Sequence, residues 1–174
     1  QYVYDNGLMN GIGGTTEFQP NRNITRAQIV QVLYNMEKQP EALNRNVFTD
    51  LKDVAEDAWY ADAVAWAYSA GVVSGNSSTK MFSPNNNATR EQLSMIMYQY
   101  AHYKGYKTDQ TSDLEGMLNK DAVSDWSAES VRWAVGAGII SGVDKNGVKD
   151  LAPKANATRA QMAVILKNFS ETYK

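Results

Sequence analysis

The sequence predicts an all-α fold of three repeats whose main helices pack as a central bundle. Three observations carry that expectation. Thr25-Arg26-Ala27-Gln28, Thr89-Arg90-Glu91-Gln92 and Thr158-Arg159-Ala160-Gln161 each open an apolar run at helical spacing. Each follows a proline by the same interval: Pro20, Pro84 and Pro153. Each is preceded by a glycine-bracketed pentapeptide, Gly7-Leu-Met-Asn-Gly11, Gly71-Val-Val-Ser-Gly75 or Gly138-Ile-Ile-Ser-Gly142. A unit of roughly 55 to 70 residues is marginal alone because it buries little surface, so three units sharing one core are favoured over three beads.

The first repeat is assigned to residues 1–44. It opens in mid-pattern: Tyr2 aligns with Trp66 and Trp133, so most of its leading helix is expected to be missing. Its second helix carries the stripe Ile29, Val32, Leu33 and Met36. The second repeat, 45–108, starts with Phe48-Thr49-Asp50. Trp59, Ala63, Trp66, Ala67 and Ala70 then fall on one helical face. Gly71 sits where a helix end commonly needs the left-handed conformation, and Val72 and Val73 are expected to be buried. Residues 76–80 read as an exposed loop, and Phe82 and Pro84 return the chain to the core.

Thr89 with Gln92 three residues on forms a capping box, in which each side chain satisfies a backbone donor of the other. The helix that follows buries Leu93, Ile96, Met97 and Tyr100. The third repeat, 109–174, keeps the spacing of Trp59 and Trp66 in Trp126 and Trp133. Met117 is read in the place of Phe48, and Asn119 in that of Asp50. The loop at Gly142 is two residues longer than its counterparts, and residues 104–115 read as a connecting insertion. Its stripe is Met162, Ile165, Leu166 and Phe169.

The bulk composition excludes several classes. The net charge is −2, so no basic surplus exists for non-specific nucleic-acid binding. Cysteine is absent, which removes disulfides, thiolate metal sites and a Cys nucleophile, and fits an exported bacterial surface protein. No apolar stretch approaches the roughly 18 residues of a membrane span. No signal peptide is visible, and Gln1 is no initiator.

An arginine in the first helical turn is unfavourable against the macrodipole by about 0.3–1 kcal/mol. It makes sense if an anion binds at the helix start, where N–H donors, dipole and guanidinium converge. The competing reading pairs each arginine with a carboxylate such as Asp50, or lays its stem on a tryptophan. Trp66 and Trp133 are expected in the core. Trp59 and Trp126 either join them or stay partly exposed to stack on a ligand such as a sugar ring. The glycines shape turns, or admit a ligand close to the backbone.

Other motifs are weaker. The segment from Asp144 to Asp150 is similar to a calcium loop, but its glycine comes two places early and the terminal Glu is missing. The sequons at Asn23, Asn87 and Asn156 coincide with helix caps, which explain them better. His102, the sole histidine, reads as solvated. No Ser-His-Asp set or carboxylate pair can be argued, so no enzyme, metal or cofactor is expected.

The ordered set Phe48-Thr-Asp50, Trp59, Gly71-Val-Val-Ser-Gly75, Phe82-Ser-Pro84 and Ala88-Thr-Arg90-Glu-Gln92 closely resembles the S-layer homology domain. The resemblance covers essentially the whole chain as a triplet, 1–174. It implies a pseudo-threefold prism with peripheral short helices and loops, located at the bacterial cell surface. It implies non-covalent anchoring to a secondary cell-wall polymer, often through a pyruvylated sugar held in grooves between repeats. On that pattern Arg26, Arg90 and Arg159 meet the sugar carboxylate, and Gly11, Gly75 and Gly142 line the groove. Trp59 and Trp126, from the following repeat, stack on the sugar face. Gln28, Gln92 and Gln161 stand where the family usually has an acid; they can still cap and hydrogen-bond. The Arg159 groove would need the missing leading helix, so those of Arg26 and Arg90 are expected to be better formed. The alternative is a protein–protein module in surface-layer assembly, and self-assembly through the parent protein stays open.

Overall fold

The computed structural model describes residues 1–13, 15–41 and 46–174. The expected boundary between the first two repeats, at 44/45, lies outside the described residues at 44. In chain order the helices are α1 (Tyr2–Asp5), α2 (Arg26–Met36), α3 (Val47–Asp50), α4 (Ala61–Ser69) and α5 (Arg90–Tyr103). Two 3₁₀ turns, Lys120–Ala122 and Asp125–Ser127, precede α6 (Ala128–Gly136). The strands β1 (Val143–Lys145) and β2 (Val148–Asp150) and the helix α7 (Arg159–Thr172) complete the chain. Among the described residues no helix is long and apolar enough to cross a membrane.

The fold is mostly helical, but not all-α. The antiparallel pair β1–β2 occupies the longer loop after Gly142. Its cause is local: Asn146 and Gly147 adopt φ of 53° and 85°, the left-handed pair that a tight two-residue hairpin requires. Asp144 accepts from the Gly147 N–H at 3.1 Å, and Lys145 pairs with Asp150 at 3.0 Å. The segment similar to a calcium loop is therefore a hairpin whose carboxylates are already engaged. Among the described residues no group of three or more His, Cys, Asp or Glu comes together.

The three main helices start alike. Thr25, Thr89 and Thr158 each complete a capping box with Gln28, Gln92 and Gln161. Behind each cap the apolar stripe enters one common core. Leu33, Leu93, Met97, Met162 and Leu166 have no exposed surface, and only Met36 lies partly outside. Gly7, Gly71 and Gly138 take φ of 66–70° just after the leading helices, the left-handed position only glycine fills without strain.

The three helix starts are joined in a ring. The Ile24 N–H donates to the Ala157 carbonyl at 2.9 Å, Ala157 to Ala88 at 2.8 Å, and Ala88 to Ile24 at 3.0 Å. These three residues, an isoleucine and two alanines, are completely buried at the centre. Helix packing follows the same cyclic order: α4 lies on α2, α6 on α5, and α1 on α7. Each leading helix thus covers the main helix of the preceding repeat. At the opposite end, Tyr100 donates to Glu37 at 2.5 Å and Lys104 pairs with Glu37 at 2.9 Å, tying α5 to α2.

Two register expectations change. Lys52 N–H donates to the Lys80 carbonyl, and Leu118 N–H to that of Lys149. Leu51 lies against Gly75, as Met117 does against Gly142. Met117 therefore stands where Leu51 stands, not Phe48, and Asn119 where Asp53 stands, not Asp50. Asp53 accepts from the N–H groups of Phe82 and Ser83, both at 2.7 Å. In the third repeat Asp150 takes over that work: it accepts from Ala152 N–H at 2.8 Å and from Asn119 at 2.8 Å.

Candidate functional site

Each helix start faces the proline loop of the next repeat. Arg26 N–H donates to the Asn86 carbonyl and Ala27 N–H to that of Pro84. Arg90 and Glu91 do the same to Ala155 and Pro153, and Arg159 and Ala160 to Arg22 and Pro20. The third turn donors, Gln28, Gln92 and Gln161 N–H, go to the capping threonines. The helix N-termini consequently have no N–H left for an anion, contrary to the expectation that donors, dipole and guanidinium would converge on one. An anion held here must be held by side chains.

The arginines also have a structural partner that the sequence did not suggest. Arg26 Nε donates to the Phe82 carbonyl at 2.8 Å, and the guanidinium lies over the Phe82 ring at 4.7 Å. Arg90 Nε donates to the Leu151 carbonyl at 2.9 Å, and Arg159 Nε to that of Phe18 at 2.8 Å. Neither an Asp50 partner nor a tryptophan platform is used; each arginine instead ties its repeat to the next. Burial pulls all three guanidinium pKa values down, partly offset by Asp53 for Arg26 and Asp150 for Arg90. Arg159 has Arg22 nearby instead, which depresses it further.

The three are not equivalent. A terminal nitrogen of Arg90 donates to the Ser141 carbonyl at 3.1 Å, and one of Arg159 to that of Asn10 at 2.6 Å. Both residues are nearly enclosed, at 6% and 5% exposure. Arg26 is half-buried, and among the described residues only its Nε is engaged by a hydrogen bond. Its two terminal nitrogens are free to grip a planar anion side-on.

Arg26 lines an open groove of about 720 Å³. The floor comes from Val72 to Asn76 and Phe82 of the second repeat; α5 contributes Gln92, Met95 and Gln99; Trp126 of the third repeat stands on the wall. The groove therefore draws on three repeats, and its indole comes from two repeats beyond the arginine rather than one. Trp59 and Trp126 are 63% and 52% exposed, whereas Trp66 and Trp133 are buried, so only the former two can offer a ring face to a ligand. Gly75 lines the Arg26 groove. Its missing side chain is explained by packing, because a Cβ there would strike Leu51. Likewise Gly142 abuts Met117 and Lys149, and Gly11 abuts Thr15.

Arg90 lines a smaller groove of about 280 Å³ with Gly142, Gln161 and Val164. Arg159, Gly11, Gln28 and Trp59 are the residues equivalent to the members of the Arg26 groove.

The family model described as S-layer homology domain matches residues 1–30, 50–94 and 120–163. The Surface-layer 125 kDa protein of Lysinibacillus sphaericus is 31% identical over 99% of the chain, which spans 13% of that protein. The Amylopullulanase of Thermoanaerobacterium thermosulfurigenes is 32% identical over 90% of the chain, and the chain spans 8% of it. The Exoglucanase XynX of Acetivibrio thermocellus is 32% identical over 90% of the chain, with 14% of its length spanned.

Proposed function

The chain belongs to the S-layer homology domain family, and we propose from that membership that it anchors an exported protein to the bacterial cell wall. It binds a secondary cell-wall polymer, with an anionic pyruvylated sugar in the Arg26 groove. The module is not catalytic; the enzyme names of two relatives describe proteins of which it spans only a small part. The three repeats, 1–44, 45–108 and 109–174, act as one domain. The cyclic hydrogen bonds through Ile24, Ala88 and Ala157 support a pseudo-threefold prism around a three-helix bundle.

The observation that carries the reading is the composition of one groove: an arginine with open terminal nitrogens, an amide and an exposed indole. Arg26 supplies a two-pronged donor for a carboxylate. The Gln92 Oε1 is taken by the Thr89 N–H at 3.1 Å, which leaves its Nε2 to donate. Trp126 offers an apolar ring face. Isothermal titration with wall polymer before and after removal of its pyruvyl groups tests the proposal. Binding should fall sharply on removal, and Arg26→Ala should weaken binding only to the intact polymer. Undiminished binding to stripped polymer would point to a neutral glycan and overturn the carboxylate role.

A further inference from the structure

Glu91 sits where the other two main helices have alanine, Ala27 and Ala160. It is a carboxylate with only 4% of its surface exposed, at the position of the recurring Thr-Arg-x-Gln helix start that the capping box does not use. Its oxygens accept from the Ser124 N–H at 3.0 Å, the Ser124 hydroxyl at 3.3 Å and the Lys154 ammonium at 2.6 Å. The Ser127 hydroxyl lies 3.0 Å from Glu91 and shares its one proton between that carboxylate and the Ser124 carbonyl. Lys154 also reaches the Ser124 hydroxyl. Ser124 and Ser127 bracket the 3₁₀ turn Asp125–Ser127, and Trp126 is in its middle.

We propose that Glu91 is a positioning residue for Trp126, fixing from below the turn that presents the indole to the Arg26 groove. Its backbone adds to the same clamp, since the Glu91 N–H donates to Pro153 in the loop that carries Lys154. One side chain of the second repeat thus holds two separate segments of the third. The corresponding interface one repeat earlier solves the problem without charge. There Ala27 is fully buried, Tyr60 takes the place of Ser127, and Trp59 lies edge-on to Tyr60 with ring centroids 5.2 Å apart. Alanine with tyrosine and glutamate with serine are the residues at equivalent positions of the two interfaces. The inference rests on the reading of the Arg26 groove as the glycan site, but its first readout does not need a ligand.

The test labels the four tryptophans with 5-fluorotryptophan and follows them by ¹⁹F NMR, with Trp126→Phe assigning the resonance. Glu91→Ala should move the Trp126 resonance toward the solvent value while those of Trp59, Trp66 and Trp133 stay. Affinity for pyruvylated wall polymer should drop about fivefold to tenfold, the scale of one misplaced ring. Glu91→Ala combined with Ser127→Tyr rebuilds the Ala27–Tyr60 solution and should restore both readouts. If Glu91→Ala loses the fold, Glu91→Gln, which keeps the shape without the charge, carries the same measurement. A Trp126 resonance unmoved in a folded variant overturns the proposal. A displaced Trp126 with undiminished polymer affinity upholds the positioning role and overturns the glycan reading of the groove.

Discussion

Replacing each arginine in turn by alanine should separate binding from architecture, because the three guanidinium groups are engaged differently. Arg90 is 6% exposed and donates to two carbonyls, those of Leu151 and Ser141. Removing it strands both acceptors. Hydrogen bonds from a charged donor contribute about 1.5–3 kcal/mol each, so Arg90→Ala should cost about 3–5 kcal/mol. Arg159, with Phe18 and Asn10 as acceptors, should cost about the same. Arg26 makes one such bond and lies over the Phe82 ring at 4.7 Å. Because it is half-buried, water can replace part of the loss, and about 2 kcal/mol is expected.

The order for affinity is reversed. Only Arg26 has two terminal nitrogens to offer, and losing a bidentate carboxylate contact of about 1.5–3 kcal/mol weakens binding by about 10- to 150-fold. Arg90→Ala, assayed well below its unfolding midpoint, should stay within about twofold of the parent at the Arg26 groove. Urea unfolding followed by tryptophan fluorescence gives the first order, and titration with a pyruvylated aminosugar gives the second. Equal affinity losses at all three positions would refute the reasoning, as would an Arg26 variant that is the least stable of the three and still binds.

Other perturbations probe the frame. Thr89→Ala removes one arm of a capping box and should lower stability by about 1 kcal/mol, read as a shift in urea midpoint at constant slope. Gly75→Ala drives a methyl into Leu51 and should cost about 1–3 kcal/mol. Pairing it with Leu51→Ala should cost less than the sum of the single changes, measured as a double-mutant cycle. Burial alone would raise the Glu91 carboxyl, but hydrogen bonds from Lys154, Ser124 and Ser127 outweigh it and hold the pKa below its usual value of 4.5. A depressed folded pKa stabilises above the unfolded value and loses that contribution as pH falls toward the folded one. Stability should therefore drop more steeply below about pH 5 for the parent than for Glu91→Gln, by urea unfolding across that range.

What could be read from the sequence was local. The capping boxes, the buried stripes and the glycines after the leading helices each depend on residues within one turn of one another. The core places of Trp66 and Trp133 followed from the same periodicity. The exposure of Trp59 and Trp126 did not, because nothing within one helix decides which rim residue another repeat covers. The carbonyl partners of the arginines lie more than fifty positions away and are backbone atoms, to which side-chain patterns are blind. The roles of Met117 and Asn119 were misread because the third repeat moves a carboxylate from the Asp53 position to Asp150, leaving no residue-for-residue match. The hairpin had a visible signal in Asn146-Gly147, outweighed by the spacing of the acids around it.

The arginine in the first turn can now be reconciled with the helix dipole. The macrodipole penalty assumes a cation set against the positive end of a helix in water. Here the positive end is surrounded by oxygens: around α2, the carbonyls of Pro84 and Asn86 take the first two N–H groups, and that of Phe82 takes the guanidinium Nε. The negative ends of these peptide groups replace the anion that a free helix start would attract. One loop therefore neutralises the dipole and the arginine together, and does so in all three repeats. That arrangement explains why the arginine recurs even where one of its terminal nitrogens is also spent on a backbone carbonyl, as at Arg90 and Arg159. Recurrence in the sequence is accordingly evidence for the inter-repeat seam. Evidence for binding comes from the departure at Arg26, where the seam uses one nitrogen and leaves the fork open.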